Sequence, residues 1–142
     1  MIIEKLRVKN YKSLEDVEVP LRPLTVFVGP NNSGKSNILD CLEFVKDLAF
    51  SRPTAMAVAG RGGFTDLVWG GDHARAIDIR LDGRVADGKG QQRLFTYEVE
   101  ITGPPTGYII NKEVFTLFEG GAGRRLLERT GDAQVKTWSE QD

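Results

Sequence analysis

Leu24-Thr25-Val26-Phe27-Val28-Gly29-Pro30-Asn31-Asn32-Ser33-Gly34-Lys35-Ser36-Asn37 is the stretch that decides the reading of this 142-residue chain. Its first five residues form a short, nearly continuous apolar run. Such a run suits a strand covered on both faces, as in the middle of an α/β sheet. Gly29 ends it. Gly29–Ser36 then matches the pattern G-x-x-x-x-G-K-[ST] at every fixed position. Each fixed position has a physical task. Gly29 and Gly34 permit backbone torsions that a side chain would forbid, so the loop can turn its N–H groups inward. Lys35 supplies a positive charge suited to β- and γ-phosphates, and Ser36 offers a hydroxyl to Mg²⁺. A helix starting here would aim its unpaired N–H groups and its dipole at the same anion. The expectation is a strand–loop–helix unit that binds a nucleoside triphosphate with Mg²⁺.

Outward from the loop, the period becomes helical after Ser36. Ile38, Cys41/Leu42, Val45 and Leu48/Ala49 form an apolar stripe, while Asp40, Glu43, Lys46 and Asp47 fall largely off it. Pro53 ends this helix at the latest. Residues 51–75 are rich in glycine and read as a long loop with one short helix near Ala55–Ala59. Loops of this length in compact domains are usually functional or mobile.

On the other side of the loop, residues 2–9 alternate, with Ile3, Leu6 and Val8 among charged neighbours, and predict a strand with one wet face. Asn10–Ser13 is a break. Val17, Val19 and Leu21 alternate again as a second, antiparallel strand. The C-terminal half reads as β. Ile77, Ile79 and Leu81 alternate up to a predicted turn at Asp82-Gly83. Phe95, Tyr97, Val99 and Ile101 form another strand. Tyr108–Phe118 forms a third, with Phe115, Leu117 and Phe118 assigned to the core. Arg124–Arg129 and Gln134–Trp138 suit a final hairpin about Gly131-Asp132, and Ser139–Asp142 should fray. The fold class is therefore α/β: a P-loop strand and helix flanked by an antiparallel β layer.

Composition narrows the partners. Apolar residues are 40% and charged residues 27%, the balance of a globular domain, and the formal net charge is −1. Any nucleic-acid face would have to be local. Arg124, Arg125 and Arg129 are basic, but Glu119, Glu128 and Asp132 offset them, which favours a solvated hairpin. A single cysteine, Cys41, excludes an internal disulfide and reads as an inert core thiol. The N-terminus lacks the pattern of a signal peptide, and no apolar run approaches the roughly 18 residues of a membrane span. The expected location is the cytoplasm. His73, the one histidine, has no evident nucleophile or orienter beside it and reads as a solvated loop residue. Trp69 suits an anchor for the long loop, and Trp138 an exposed end or a contact to further chain.

The loop resembles a known family more closely than a bare motif requires. Gly29–Asn37 continuing into Ile38-Leu39-Asp40 resembles the N-terminal half of the SMC/RecF/RecN group of ABC-type ATPases. So does the opening Leu6-Arg7-Val8-Lys9-Asn10-Tyr11-Lys12-Ser13-Leu14. Gly60-Arg61-Gly62-Gly63-Phe64-Thr65-Asp66-Leu67-Val68-Trp69-Gly70-Gly71 is similar to the segment that follows the P-loop helix in SMC proteins, and Gly107–Asn111 to a strand of the same lobe. Asn31-Asn32-Ser33 also resembles the OLD (overcoming-lysogenization-defect) ATPases and related defence ATPases.

The resemblance implies an N-terminal lobe of an ATPase head spanning residues 1–142. It implies that two heads of the full-length protein close on two ATP molecules as a homodimer, with DNA as a candidate partner. It also implies site roles: Asn32 on the γ-phosphate side, Lys12 and Ser13 near the α-phosphate or nucleoside, and Arg61 reaching back to the nucleotide. Pro30, Asn31, Ser33 and Asn37 belong to the same loop set. For Lys12 and Arg61 a solvated cation is an equal alternative. For Tyr11 a half-buried strand end outweighs a stacking role on adenine.

The family's Walker B Asp-Glu pair, Ser-Gly-Gly signature and switch histidine have no counterpart here. Gln91-Gln92 sits in a predicted turn, and Gln134 and Gln141 lie near the end, so no Q-loop glutamine is assigned. Hydrolysis needs a group that orients the attacking water and usually a second acidic metal ligand. The expectation is MgATP binding without turnover by these residues, no catalytic group beyond Lys35, and Ser36 as the one metal ligand. Two rival readings stay open: a small P-loop kinase, and a nucleotide-gated interaction module without hydrolysis.

Overall fold

The computed structural model describes residues 1–50, 55–104, 107–131 and 136–137. One antiparallel sheet of seven strands dominates it, in the order β2-β1-β3-β4-β5-β6-β7. The strands are β1 (Ile2–Tyr11), β2 (Leu14–Pro20), β3 (Ile77–Ala86), β4 (Gln92–Thr102), β5 (Ile109–Glu119), β6 (Ala122–Arg129) and β7 (Lys136–Thr137). Among the described residues three α-helices and a short 3-10 turn (Trp69–Gly71) lie between β2 and β3: α1 (Lys35–Phe50), α2 (Ala55–Ala59) and α3 (Phe64–Leu67). The expected short helix near Ala55–Ala59 is present, and α3 is an addition to it.

Period-2 patterning explains the sheet. Along β3 and β4 the inward positions Ile77, Ile79, Leu81, Phe95, Tyr97, Val99 and Ile101 are buried, and their neighbours are not. In β1 the register shifts between Ile3 and Lys5. That irregularity lets Ile3 pack on the core and still leaves Leu6 and Val8 facing inward. Asn10 has φ +56, and beyond it Tyr11 is the buried residue. A half-buried tyrosine was expected, but Tyr11 is fully enclosed, its ring 5.5 Å from that of Phe44 on α1.

Asp82-Gly83 is not a turn; β3 runs through it to Ala86. The reversal comes at Asp87–Gln91, where the Asp87 carboxylate accepts the N–H groups of Lys89 and Gln91. Gly83 is small for another reason: an added Cβ would lie 2.2 Å from the Ile2 carbonyl oxygen on the neighbouring strand.

The largest correction concerns Leu24–Val28. It was expected as a buried strand at the centre of a sheet. It pairs with no strand among the described residues, and Leu24, Val26 and Val28 are 82%, 73% and 90% exposed. A strand needs partners for its N–H and C=O groups, and all seven described strands pair with one another instead. The segment is held at its start by a turn, in which Arg22 N–H donates to the Thr25 hydroxyl and that hydroxyl donates back to the Arg22 carbonyl. Phe27 alone of the run packs against the core.

Helix α1 lies against the core through Ile38, Cys41, Phe44, Val45 and Leu48. Phe44 widens the expected stripe, whereas Ala49 faces solvent. The expected final hairpin is realised in part: β6 pairs with β7, while Gln134, Trp138 and Ser139–Asp142 lie outside the described residues.

Candidate functional site

At the N-terminal end of α1 the chain forms a concavity of about 400 Å³, lined by Ser13 and by Asn31 through Asn37. Its backbone geometry follows from two positions. Asn32 and Gly34 take left-handed torsions, with φ +67 and +88. At Gly34 an added Cβ would also meet Leu14 Cδ2 at 3.1 Å and Ser13 Oγ at 3.2 Å. The β1–β2 turn therefore presses directly on the loop. Gly29 is not in the left-handed region; its constraint is crowding, since a Cβ there would approach Ser33 Oγ at 3.0 Å.

Among the described residues, two backbone bonds fix the loop: Ser33 N–H to the Pro30 carbonyl at 3.3 Å and Ile38 N–H to the Gly34 carbonyl at 3.1 Å. Among the described residues, the N–H groups of Gly34, Lys35, Ser36 and Asn37 find no backbone acceptor. Three of these belong to the first turn of α1, where intrahelical acceptors do not exist. Unpaired donors gathered in a concavity at a helix N-terminus are suited to an anion.

Lys35 folds over the loop. Its ammonium donates to the Gly29 and Pro30 carbonyls at 2.6 Å each and to Ser33 Oγ at 3.1 Å. Ser36 is exposed at the mouth. Its hydroxyl fits one ligand position of a hard cation, which would draw its other oxygens from phosphate and water. Among the described residues no group of three or more His, Cys, Asp or Glu side chains is placed to hold a metal.

Behind the loop lies a second structure that sequence reading missed. Asn37, Asp40, Phe44 and Asp47 lie on one face of α1, three and four residues apart. Asn37 Nδ2 donates to Ser13 Oγ at 2.7 Å. Ser13 is thereby fixed with its own proton free to donate into the concavity. Asp40 gathers three partners. Tyr11 Oη donates to Oδ2 at 2.5 Å, Lys12 Nζ lies 2.7 Å from Oδ2, and Arg61 Nε lies 3.1 Å from Oδ1. Arg61 also meets Asp47 at 2.8 Å, donates to the Ala57 carbonyl at 3.1 Å, and rests its guanidinium 5.2 Å from the Phe44 ring centroid.

The electrostatics follow from these contacts. Burial alone would raise the Asp40 carboxyl's pKa, but hydrogen bonds from Lys12, Tyr11 and Arg61 outweigh it and hold it below the ordinary carboxylate value. Burial, then the hydrogen bond to Asp40 and the Asp40 charge, push the Tyr11 hydroxyl far up, so it remains a proton donor. Burial, and then the Asp40 charge, push the Cys41 thiol up to about 12, in keeping with an inert core cysteine.

The sequence-predicted residues thus divide. Ser13 and Asn31 through Asn37 share one concavity. Gly29 and Pro30 hold the Lys35 ammonium from below. Lys12 and Arg61 are not among its lining residues and are both committed to Asp40. Asp40 and Asp47 fall off the apolar helix stripe, as expected, but on the face that meets Arg61. The legible signal was that both recur on the Phe44 side of α1, at offsets of four and three residues. His73 is not a loosely solvated residue: Nδ1 lies 2.9 Å from the Gly103 carbonyl and Nε2 2.7 Å from Thr65 Oγ1. Trp69 carries the Arg75 guanidinium 4.6 Å from its ring centroid. Arg125 and Arg129 are paired with Glu128 and Glu113, which uses up their charge locally.

The sequence model of the AAA ATPase domain family matches residues 1–97, more than half of the chain and all of the loop described above. The chain belongs to the AAA ATPase domain family. The OLD nuclease of Thermus scotoductus is 48% identical over 44 residues, covering 31% of this chain and 8% of that protein. The DNA replication and repair protein RecF of an Anaeromyxobacter species is 36% identical over 107 residues, or 68% of this chain and 29% of that protein. The chromosome partition protein Smc of Methanocaldococcus jannaschii is 46% identical over 44 residues, or 30% of this chain and 4% of that protein. The chain spans less than a third of the length of each of these relatives. Among the described residues of this AAA-family chain, no helix is long and apolar enough to cross a membrane.

Proposed function

We propose that this chain is the phosphate-binding lobe of an ATPase head and that the Gly29–Asn37 concavity binds the β- and γ-phosphates of MgATP. The observation that carries the reading is the coincidence of unpaired N–H groups at Gly34–Asn37 with the Lys35 ammonium in one concavity. On binding, Lys35 exchanges its carbonyl partners for phosphate oxygens, Ser36 gives its hydroxyl to Mg²⁺, and Asn31, Asn32 and Ser33 close around the γ-phosphate. The Ser36 hydroxyl would hold Mg²⁺, which would supply charge neutralisation to the phosphates. Asn37 keeps Ser13 turned toward the nucleotide. Lys12 is proposed as a further nucleotide contact, reached when its ammonium leaves Asp40, while Arg61 stays on the carboxylate.

The exposed run Leu24–Val28 supports the same picture of a lobe within a larger head. Three large apolar side chains on a β-forming segment favour cover from further protein. In the complete protein, ATP closing two heads, hydrolysis opening them, and service in DNA maintenance or in defence against mobile DNA extend the reading by analogy with RecF, Smc and OLD nuclease. A P-loop kinase fits less well, because the seven-stranded antiparallel sheet leaves no repeated βα units. A nucleotide-gated module without hydrolysis differs from the ATPase only in turnover, which a phosphate-release assay reads.

Calorimetry with MgATP on the chain and on a Lys35→Ala variant tests the site. Removing a charge-assisted donor to phosphate should weaken binding by about a hundredfold. Equal affinity in the two proteins would sink the assignment.

A further inference from the structure

We propose that Asp40 is a positioning residue for the phosphate site: it holds the Lys12 ammonium away from the concavity, and a bound triphosphate competes with it for that cation. The inference rests on the phosphate-binding reading above.

Two consecutive residues of the β1–β2 turn are tied to two positions on one face of α1. Ser13 is bonded to Asn37 and lines the concavity, while its neighbour Lys12 is bonded to Asp40 and does not. Asn37 and Asp40 are three residues apart on the helix, so Lys12 sits one step behind the wall of the site. The Lys12 backbone is fixed: its N–H donates to the Leu67 carbonyl at 2.6 Å and its φ is +49. Only its side chain is free to swing. That side chain is 28% exposed, against 13% for Arg61, which is also bonded to Asp47 and the Ala57 carbonyl. Of the two cations on Asp40, Lys12 is therefore the exchangeable one. When it leaves, Tyr11 and Arg61 still satisfy the carboxylate. A lysine with a flexible four-carbon stem and three donors suits such an exchange between two anions.

The charge arithmetic sets the direction. Paired at 2.7 Å, Lys12 and Asp40 nearly cancel, and the concavity experiences little of the Lys12 charge. Asp40→Asn keeps the shape and a hydrogen-bonding group but leaves Lys12 without its counter-ion. MgATP binding should then tighten by about fivefold at low ionic strength, and the gain should shrink as salt is added. A purely architectural aspartate would give the opposite sign.

The test is a four-protein cycle by calorimetry with MgATP: wild type, Asp40→Asn, Lys12→Met and the double variant, with Lys35→Ala as a separate control. The expected result is tightening by Asp40→Asn when Lys12 is present and none when it is absent. Unchanged or weaker binding by Asp40→Asn, or equal tightening in both backgrounds, would overturn the proposal. If Asp40→Asn does not fold by circular dichroism, Lys12→Met decides. A loss of about threefold in MgATP affinity, with a shallower salt dependence, supports the exchange; unchanged affinity and salt dependence overturn it. Failure of the parent reading looks different, because wild type and Lys35→Ala would then bind alike.

Discussion

Leu24–Val28 and Ile77–Leu81 are both short stretches of β-forming residues, and the one with the more continuous apolar character is the one left in solvent. Ile77, Ile79 and Leu81 are buried within β3, between β1 and β4. Leu24, Val26 and Val28 are exposed and pair with no described strand. Strand propensity expresses a fit to neighbours more than a backbone preference. Where β1 and β4 flank the stretch it is a strand; where no described strand pairs with it, it stays outside.

The contrast can be broken most directly at β3. Ile79 lies between Val8 and Val99 and is 2% exposed. Ile79→Ala should cost about 3 kcal/mol of unfolding free energy, measured by urea titration, from lost burial plus the cavity left behind. A loss below about 1 kcal/mol would mean that the sheet core is much less tightly packed than the structure has it.

A second, smaller effect lies at the seam between α1 and the β1–β2 turn. The Asp40 carboxyl is held below its ordinary value in the folded chain. A depressed carboxylate contributes stability that is fully present above its unfolded value, about pH 4, and is lost as pH falls through the lower folded value. Asp40→Asn should therefore flatten the acid side of the stability–pH curve below about pH 4. A variant curve parallel to wild type throughout that window would remove Asp40 from the linkage.

The smallest effect belongs to the exposed run. Leu24→Ser and Val28→Ser should each change the stability of this chain by less than about 0.5 kcal/mol in the same urea titration, as surface substitutions do. Losses of 2 kcal/mol or more, about the scale of core truncation, would show that the run is buried after all.

The same contrast explains how much the sequence disclosed. Alternation placed β1, β3, β4 and β5 because their neighbours are supplied by the chain itself. The candidate loop was legible because its constraints are local: a left-handed Gly34, a lysine, a hydroxyl and a helix start. Asp82-Gly83 misled because glycine serves close strand contact as readily as turns, and here Gly83 faces the Ile2 carbonyl. The Asp40 seam was hidden because its partners Tyr11, Lys12 and Arg61 lie 29, 28 and 21 residues away in sequence, and no periodicity records such a meeting. Lys12 and Arg61 were singled out from a resemblance; their shared carboxylate came only with the fold.

The central claim is that the amides of Gly34–Asn37 form an anion cradle. It is tested most directly by titrating the isotope-labelled chain with MgATP and following backbone amide resonances. The predicted result is large, saturable shifts at Gly34, Lys35, Ser36 and Asn37, with Val99 and Ile101 in β4 unmoved. Unmoved loop amides at saturating MgATP, or shifts spread evenly over the sheet, would contradict it.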